Sequence, residues 1–93
     1  MIVGFASRET ELIWSGFRSR KLPSDIQSIA LRKLRMLNEA RVLADLRVPP
    51  ANRPEALRGS RAGQHSIRVN DQWRTCFRWS SNGASDVEIV DYH

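Results

Sequence analysis

Cysteine occurs once in this 93-residue sequence, as Cys76, which excludes an intramolecular disulfide and fits a reducing compartment. No apolar run approaches the length of a membrane span. The start, Met1-Ile2-Val3-Gly4-Phe5-Ala6, also lacks the charged n-region and long apolar stretch of an export signal. A cytoplasmic protein without membrane contact is therefore expected. Two histidines and one cysteine, scattered without ligand spacing, give no metal site. There is no Gly-rich phosphate loop, and Gly59-x-x-x-Gly63 reads as a turn. Internal repeats and low-complexity tracts are missing as well.

Lysine is also scarce. Only Lys21 and Lys33 are present, so thirteen of the fifteen basic residues are arginine. Arginine's planar fork grips phosphate in two places where lysine acts as a point charge, although codon usage in a GC-rich genome produces the same bias. Against ten acidic residues the basic ones leave a net charge of +5 and a pI near 10.7, which favours polyanionic partners, RNA or DNA. At 41% hydrophobic and 27% charged the chain is of ordinary globular composition, and its length suits a single domain, 1–93, with one modest core.

The stretch Trp73-Arg74-Thr75-Cys76-Phe77-Arg78-Trp79 organises the rest. Its period of two predicts a half-buried strand, with Trp73, Thr75, Phe77 and Trp79 on one face and Arg74, Cys76 and Arg78 on the other. Flanked by strand-like 65–69 and 86–92, it is expected to be the middle of an antiparallel meander. Upstream, Ile2 to Phe5 reads as a first strand and Ser7 as the cap of a helix in the segment 8–17, which places Leu12, Ile13 and Phe17 near one face and ends around Ser15-Gly16. Ser24 with Gln27 predicts a capping box for a helix over 25–40, with an apolar stripe of Ile26, Ile29, Ala30, Leu34 and Leu37. One more helical turn is expected over 42–46, then an extended connection over 48–54, whose three prolines deny it regular hydrogen bonding. A short strand over 55–58 and turns at 59–63, Asn70-Asp71 and 80–83 complete the chain. The fold class is α+β, two N-terminal helices packed on a small, mainly antiparallel sheet.

Three blocks carry a family resemblance. Leu57-Arg58-Gly59-Ser60-Arg61-Ala62-Gly63-Gln64-His65-Ser66-Ile67-Arg68-Val69, then Gln72-Trp73-Arg74, then Val90-Asp91-Tyr92-His93 resemble, in order, the HigB-type toxins of the RelE superfamily. The resemblance implies the RelE-like fold and the toxin of a type II toxin–antitoxin pair, an endoribonuclease that enters the vacant decoding site of the ribosome and cuts messenger RNA by attack of the ribose 2′-hydroxyl on the adjacent phosphate. It implies a HigA-type helix-turn-helix antitoxin, operator DNA reached only through the complex with it, and contact with small-subunit ribosomal RNA. No cofactor or metal is needed for such an attack.

The same resemblance distributes the site residues. Arg74 matches the family's strand arginine and would hold the scissile phosphate. Read without the family, it is a surface arginine paired with an acid such as Glu88. Arg58 aligns with a family lysine or arginine that contacts that phosphate, the alternative being a solvated face. Arg61 and Arg68 would steer toward ribosomal or messenger phosphates, an affinity that weakens as salt rises. Tyr92 can stack on a base or donate to phosphate, His93 titrates near neutral pH, and Asp91 orients His93 or pairs with an arginine. Without the family, the terminal residues read as a frayed end. Arg32, Lys33 and Arg35 read as a solvated helix face, with ribosomal RNA contact as a second reading. Where some HigB-type toxins carry a histidine, three residues before Arg58, this sequence has Glu55. A carboxylate can act as a base, but it supplies no positive charge and repels phosphate, which implies weaker or moderated cleavage. Cys76 in mid-strand reads as a small core thiol, the aromatic stripe as core, and Arg78 as a surface charge. A noncatalytic nucleic-acid-binding or antitoxin-binding module is the rival function.

Overall fold

The computed structural model describes residues 1–91. Helices α1 (Arg8–Trp14) and α2 (Ser24–Glu39) precede a four-stranded antiparallel sheet in the order β1 (Glu55–Ala56), β2 (His65–Arg68), β3 (Trp73–Ser80) and β4 (Gly83–Asp91). This is the α+β arrangement expected, with β3 interior as its alternation requires. Phe77 and Thr75 are fully buried against α2 and β2, and Trp73 and Trp79 pack partly buried on the same core, so the aromatic face is core. From α2, Ile26, Ala30, Leu34 and Leu37 meet Ile67, Phe77, Val87 and Ile89 of the sheet.

The N-terminal segment forms two isolated parallel bridges rather than a continuous strand, Ile2 with Ala84 and Phe5 with Val87. The interruption has its counterpart in β4. Opposite Phe77, between the pairs Cys76 with Glu88 and Arg78 with Ser85, β4 carries one extra residue, and Asp86 takes a positive φ of 50° there. The bulge resets the alternation so that both Ala84 and Val87 point inward and are fully buried. Ile89 N–H, on the same edge, donates to Thr10 Oγ1 at 2.9 Å. The edge of β4 is thus covered by the N-terminal segment and α1. At the hairpin, Gly83 (φ 119°) has no room for a side chain, because a Cβ would lie 2.1 Å from the Met1 carbonyl oxygen.

Of the helix-end expectations one holds and one needs correction. Ser7 caps α1, accepting from Thr10 N–H at 3.3 Å, and the helix runs to Trp14 with Ser15 as its C-cap, as the expected end at Ser15-Gly16 has it. Gly16 (φ 90°) closes it, with Gly16 N–H on the Ile13 carbonyl and Phe17 N–H on the Leu12 carbonyl, so Phe17 lies beyond the helix and is exposed. Ser24 does not cap α2, which starts after Pro23. Gln27 instead ties down the preceding loop, donating to the carbonyls of Ser19 (2.8 Å) and Leu22 (2.9 Å) and accepting from Ser19 N–H (3.0 Å), three bonds against the one a capping box would give. The stretch 48–54 is also more ordered than its prolines imply. After a 3₁₀ turn at Leu43–Arg47 a second one at Pro50–Asn52 carries Asn52 into the interior.

Thr75 faces Ile67 and Ile89 across the sheet, and among the described residues its buried hydroxyl has no hydrogen-bond partner. Replacing it with valine, nearly the same shape, removes that unpaired group. Thr75→Val is expected to raise stability by about 1 kcal/mol, read from the midpoint of urea unfolding. A loss of more than about 1 kcal/mol would mean the hydroxyl has a partner after all.

Candidate active site on the outer sheet face

Pairing register places Ser66, Arg68, Arg74, Cys76, Glu88 and Val90 on the sheet face turned away from the helices, with Glu55 opposite Ser66. Alternation in β3 alone would leave Arg74 in solvent, yet it is only 9% exposed. Its Nε donates to Ser66 Oγ at 2.7 Å, and its Nη2 donates to the Arg53 carbonyl and, at 3.4 Å, to that of Ser66. Glu55 stands 3.7 Å away and half exposed. The acid beside Arg74 is therefore Glu55 and not Glu88, which pairs with Arg61 at 2.8 Å. The described bonds run from Nε and Nη2 to neutral acceptors, with the half-exposed Glu55 carboxylate beside them. They hold the guanidinium in place.

The guanidinium borders a polar hollow of about 280 Å³ lined by Arg53, Glu55, Arg68, Asn70, Asp71 and Arg74. Arg68 reaches Asp71 there, a pair of little strength because Asp71 is almost fully solvated. Arg61, which also bonds Gln64 Oε1 (3.0 Å), lies with Glu88 close to the buried Cys76, whose thiol is pushed up by burial against the nearby arginines. A thiol in that state is no nucleophile. Arg78, past the bulge, pairs with Asp86 at 3.4 Å.

The remaining candidates separate. Arg58 is exposed at the start of the 3₁₀ turn Gly59–Arg61. Asp91 pairs with Trp73, one position off Arg74, and so belongs to the opposite face of the sheet, where it accepts from Gln72 Nε2 at 2.9 Å. Tyr92 and His93 lie outside the described residues. Arg32 and Arg35 are exposed on α2, but Lys33 between them is not on that surface. It is 6% exposed, and its Nζ donates to Asn52 Oδ1 at 2.6 Å. The solvated-face reading fails for Lys33 because it stands seven residues after Ile26, three after Ala30 and four before Leu37, within the buried stripe. Arg53 and Ser66, which touch the hollow or Arg74, carry no sequence signal of that role. Ser66 sits in the His65-Ser66-Ile67 block without an evident task, and Arg53 is one arginine among thirteen.

A family model described as the RelE-like toxin of the type II toxin-antitoxin system HigB matches residues 11–93. The chain belongs to this HigB-like toxin family. Among its relatives, Toxin HigB-1 of Vibrio cholerae serotype O1 is 48% identical over 62 residues, 67% of this chain and 65% of that protein, so the match spans a little under two thirds of the relative's length. An uncharacterized protein of Haemophilus influenzae is 36% identical over 69 residues, 74% of this chain and 68% of its own. A YoeB/ParE toxin from Agrobacterium tumefaciens has the same fold, with a TM-score of 0.52 over 99% of this chain and 96% of its own at 20% identity. The HigB-like fold and family agree with the resemblance read from the three sequence blocks.

Proposed function

We propose that this HigB-like toxin is a ribosome-dependent endoribonuclease that cuts translated messenger RNA in the decoding site and so inhibits translation in the cytoplasm. The observation that carries the reading is Arg74, fixed by Ser66 and the Arg53 carbonyl at the wall of a polar hollow that three arginines line. In the reaction the ribose 2′-hydroxyl loses its proton and its oxygen bonds to the adjacent phosphorus. The bond to the 5′-oxygen breaks and that oxygen gains a proton, leaving a 2′,3′-cyclic phosphate and a 5′-hydroxyl. Charge grows on the non-bridging oxygens, which Arg74 offsets, with Arg58 as a second phosphate contact. His93 is assigned proton transfer, Tyr92 stacking or donation to phosphate, and Asp91 the support of His93. Arg61, Arg68, Arg32 and Arg35 provide electrostatic steering toward ribosomal RNA and message. Lys33, in the interior, takes no phosphate. A HigA-type helix-turn-helix antitoxin is the proposed partner, with operator DNA bound only through their complex.

Primer extension on message held by translating ribosomes tests this directly. Discrete cuts on addition of the purified protein are expected. Ribosome binding without cuts would make it a noncatalytic module instead.

Glu55 is the residue where base and brake make opposite predictions. Its carboxylate is half exposed and faces the hollow beside Arg74, where it repels an incoming phosphate. Glu55→Gln removes that repulsion, worth up to about 1 kcal/mol at an exposed pair, and is expected to raise cleavage by about two- to fivefold. A loss of about a hundredfold would instead make Glu55 the general base.

A further inference from the structure

We propose that the buried pair Lys33 and Asn52 is a positioning device for Arg74, acting from the helical layer through the backbone carbonyl of Arg53. The inference rests on the reading of Arg74 as the phosphate-holding group.

Asn52 is fully buried. It accepts from Lys33 Nζ (2.6 Å) and donates to the carbonyls of Leu46 (3.2 Å) and Val48 (3.4 Å), which fastens the 3₁₀ turns of 43–52 to α2. The next residue, Arg53, is held at φ 41° and ψ 63°, a left-handed conformation that a non-glycine residue adopts at a cost, and Pro54 follows it. Such a conformation persists only where the surroundings over-determine it. Here the determinants are Asn52 on one side and, on the other, the bond from Arg74 Nη2 to the Arg53 carbonyl. Lys33 belongs to the helix on the inner face of the sheet, whereas Arg74 projects from the outer face. The loop joins the two layers, so the Arg53 carbonyl is tied through Asn52 to a lysine buried on the far side of the sheet. Ser66 fixes Nε of the same guanidinium from within the sheet, and the carbonyl fixes its outer nitrogen. The two together define the plane of the fork.

Lys33→Met keeps the stem and removes the bond to Asn52. Three readings are taken on the full chain: the thermal melt, the Nε–Hε resonance of Arg74 in a 15N–1H spectrum, and kcat and KM of ribosome-bound message cleavage. The variant is expected to remain folded, to move the Arg74 resonance while leaving that of Arg78 in place, and to lower kcat by roughly ten- to a hundredfold at unchanged KM, the penalty of a misplaced group. Lys33→Gln offers an uncharged N–H donor one bond shorter than the lysine and is expected to fall between the wild type and Lys33→Met in both the resonance and kcat. An Arg74 resonance that stays put in Lys33→Met overturns the inference. So does a Lys33→Met protein whose Arg74 resonance has moved but whose kcat matches that of the wild type, since the placement of the fork would then not matter to the reaction. A wild-type protein that cuts no message removes the cleavage reading and leaves the resonances to decide the positioning role.

Discussion

Arg74→Ala is expected to lower kcat for cleavage of ribosome-bound message by about a hundred- to a thousandfold, the loss found when one preorganised donor to a developing anion is removed. The difficulty is that Arg74 is also buried, so an inactive variant could be merely unfolded. Its loss leaves Ser66 Oγ and the Arg53 carbonyl without a donor, which costs on the order of 1–3 kcal/mol. In a domain of this size that corresponds to a fall in Tm of about 4–8 °C for each kcal/mol, so cleavage must be assayed well below the variant's melting point. Arg74→Lys separates charge from fork. It keeps one positive group but cannot bond Ser66 and the Arg53 carbonyl while presenting two donors in a plane. Its activity should fall between those of the other two proteins. If Arg74→Ala cuts like the wild type at a temperature where both are folded, Arg74 is a structural tie between loop and sheet, and the hollow is not the site of cleavage.

Much of this arrangement could be read before any coordinates. The period-two pattern from Trp73 to Trp79 specified a strand and its core face, although Arg74 and Cys76 on the other face are buried too. The stripe from Ile26 to Leu37 specified the long helix. What stayed hidden depends on contacts remote in sequence. Nothing in Asp86 announces a bulge, yet the extra residue lets β4 begin at Gly83, three residues earlier than its own alternation predicts. Arg74 read as a solvent-facing strand residue because the loop that covers it comes some twenty residues earlier, in a proline-rich stretch that looked like a plain connection. Lys33 is a different kind of failure. Its position in the stripe was legible from helical spacing, but a lysine there reads as a solvated charge unless its partner, Asn52, is known.

Asn52→Ala carries the second large expected effect, on stability. The substitution leaves the Lys33 ammonium buried with no acceptor, and it strips a donor from the carbonyls of Leu46 and Val48. Burial, then the charges of Arg32 and Arg68, already push the Lys33 pKa down, so the ammonium is held against its environment even in the wild type. Leaving a buried charged group without its hydrogen-bond partner costs about 3 kcal/mol or more, a large part of the 5–15 kcal/mol that holds a small domain together. Urea unfolding of Asn52→Ala should therefore show a sharply lowered midpoint. Lys33→Met removes the charge along with the bond, so it strands no ammonium and should cost less than Asn52→Ala, about 1–3 kcal/mol for the Asn52 Oδ1 left without its donor. The double variant should be more stable than Asn52→Ala alone, since no ammonium is then stranded, and this non-additivity measures the coupling of the pair. The pH dependence has a definite sign. A lysine whose folded pKa is depressed binds fewer protons folded than unfolded between its two pKa values, so wild-type stability rises as pH climbs through that window. The deficit of Lys33→Met relative to the wild type should then widen in alkaline solution. If Asn52→Ala instead unfolds within about 1 kcal/mol of the wild type, the 43–54 loop is held by its apolar contacts, Leu46 foremost, and the Lys33 and Asn52 bond is incidental to its anchoring.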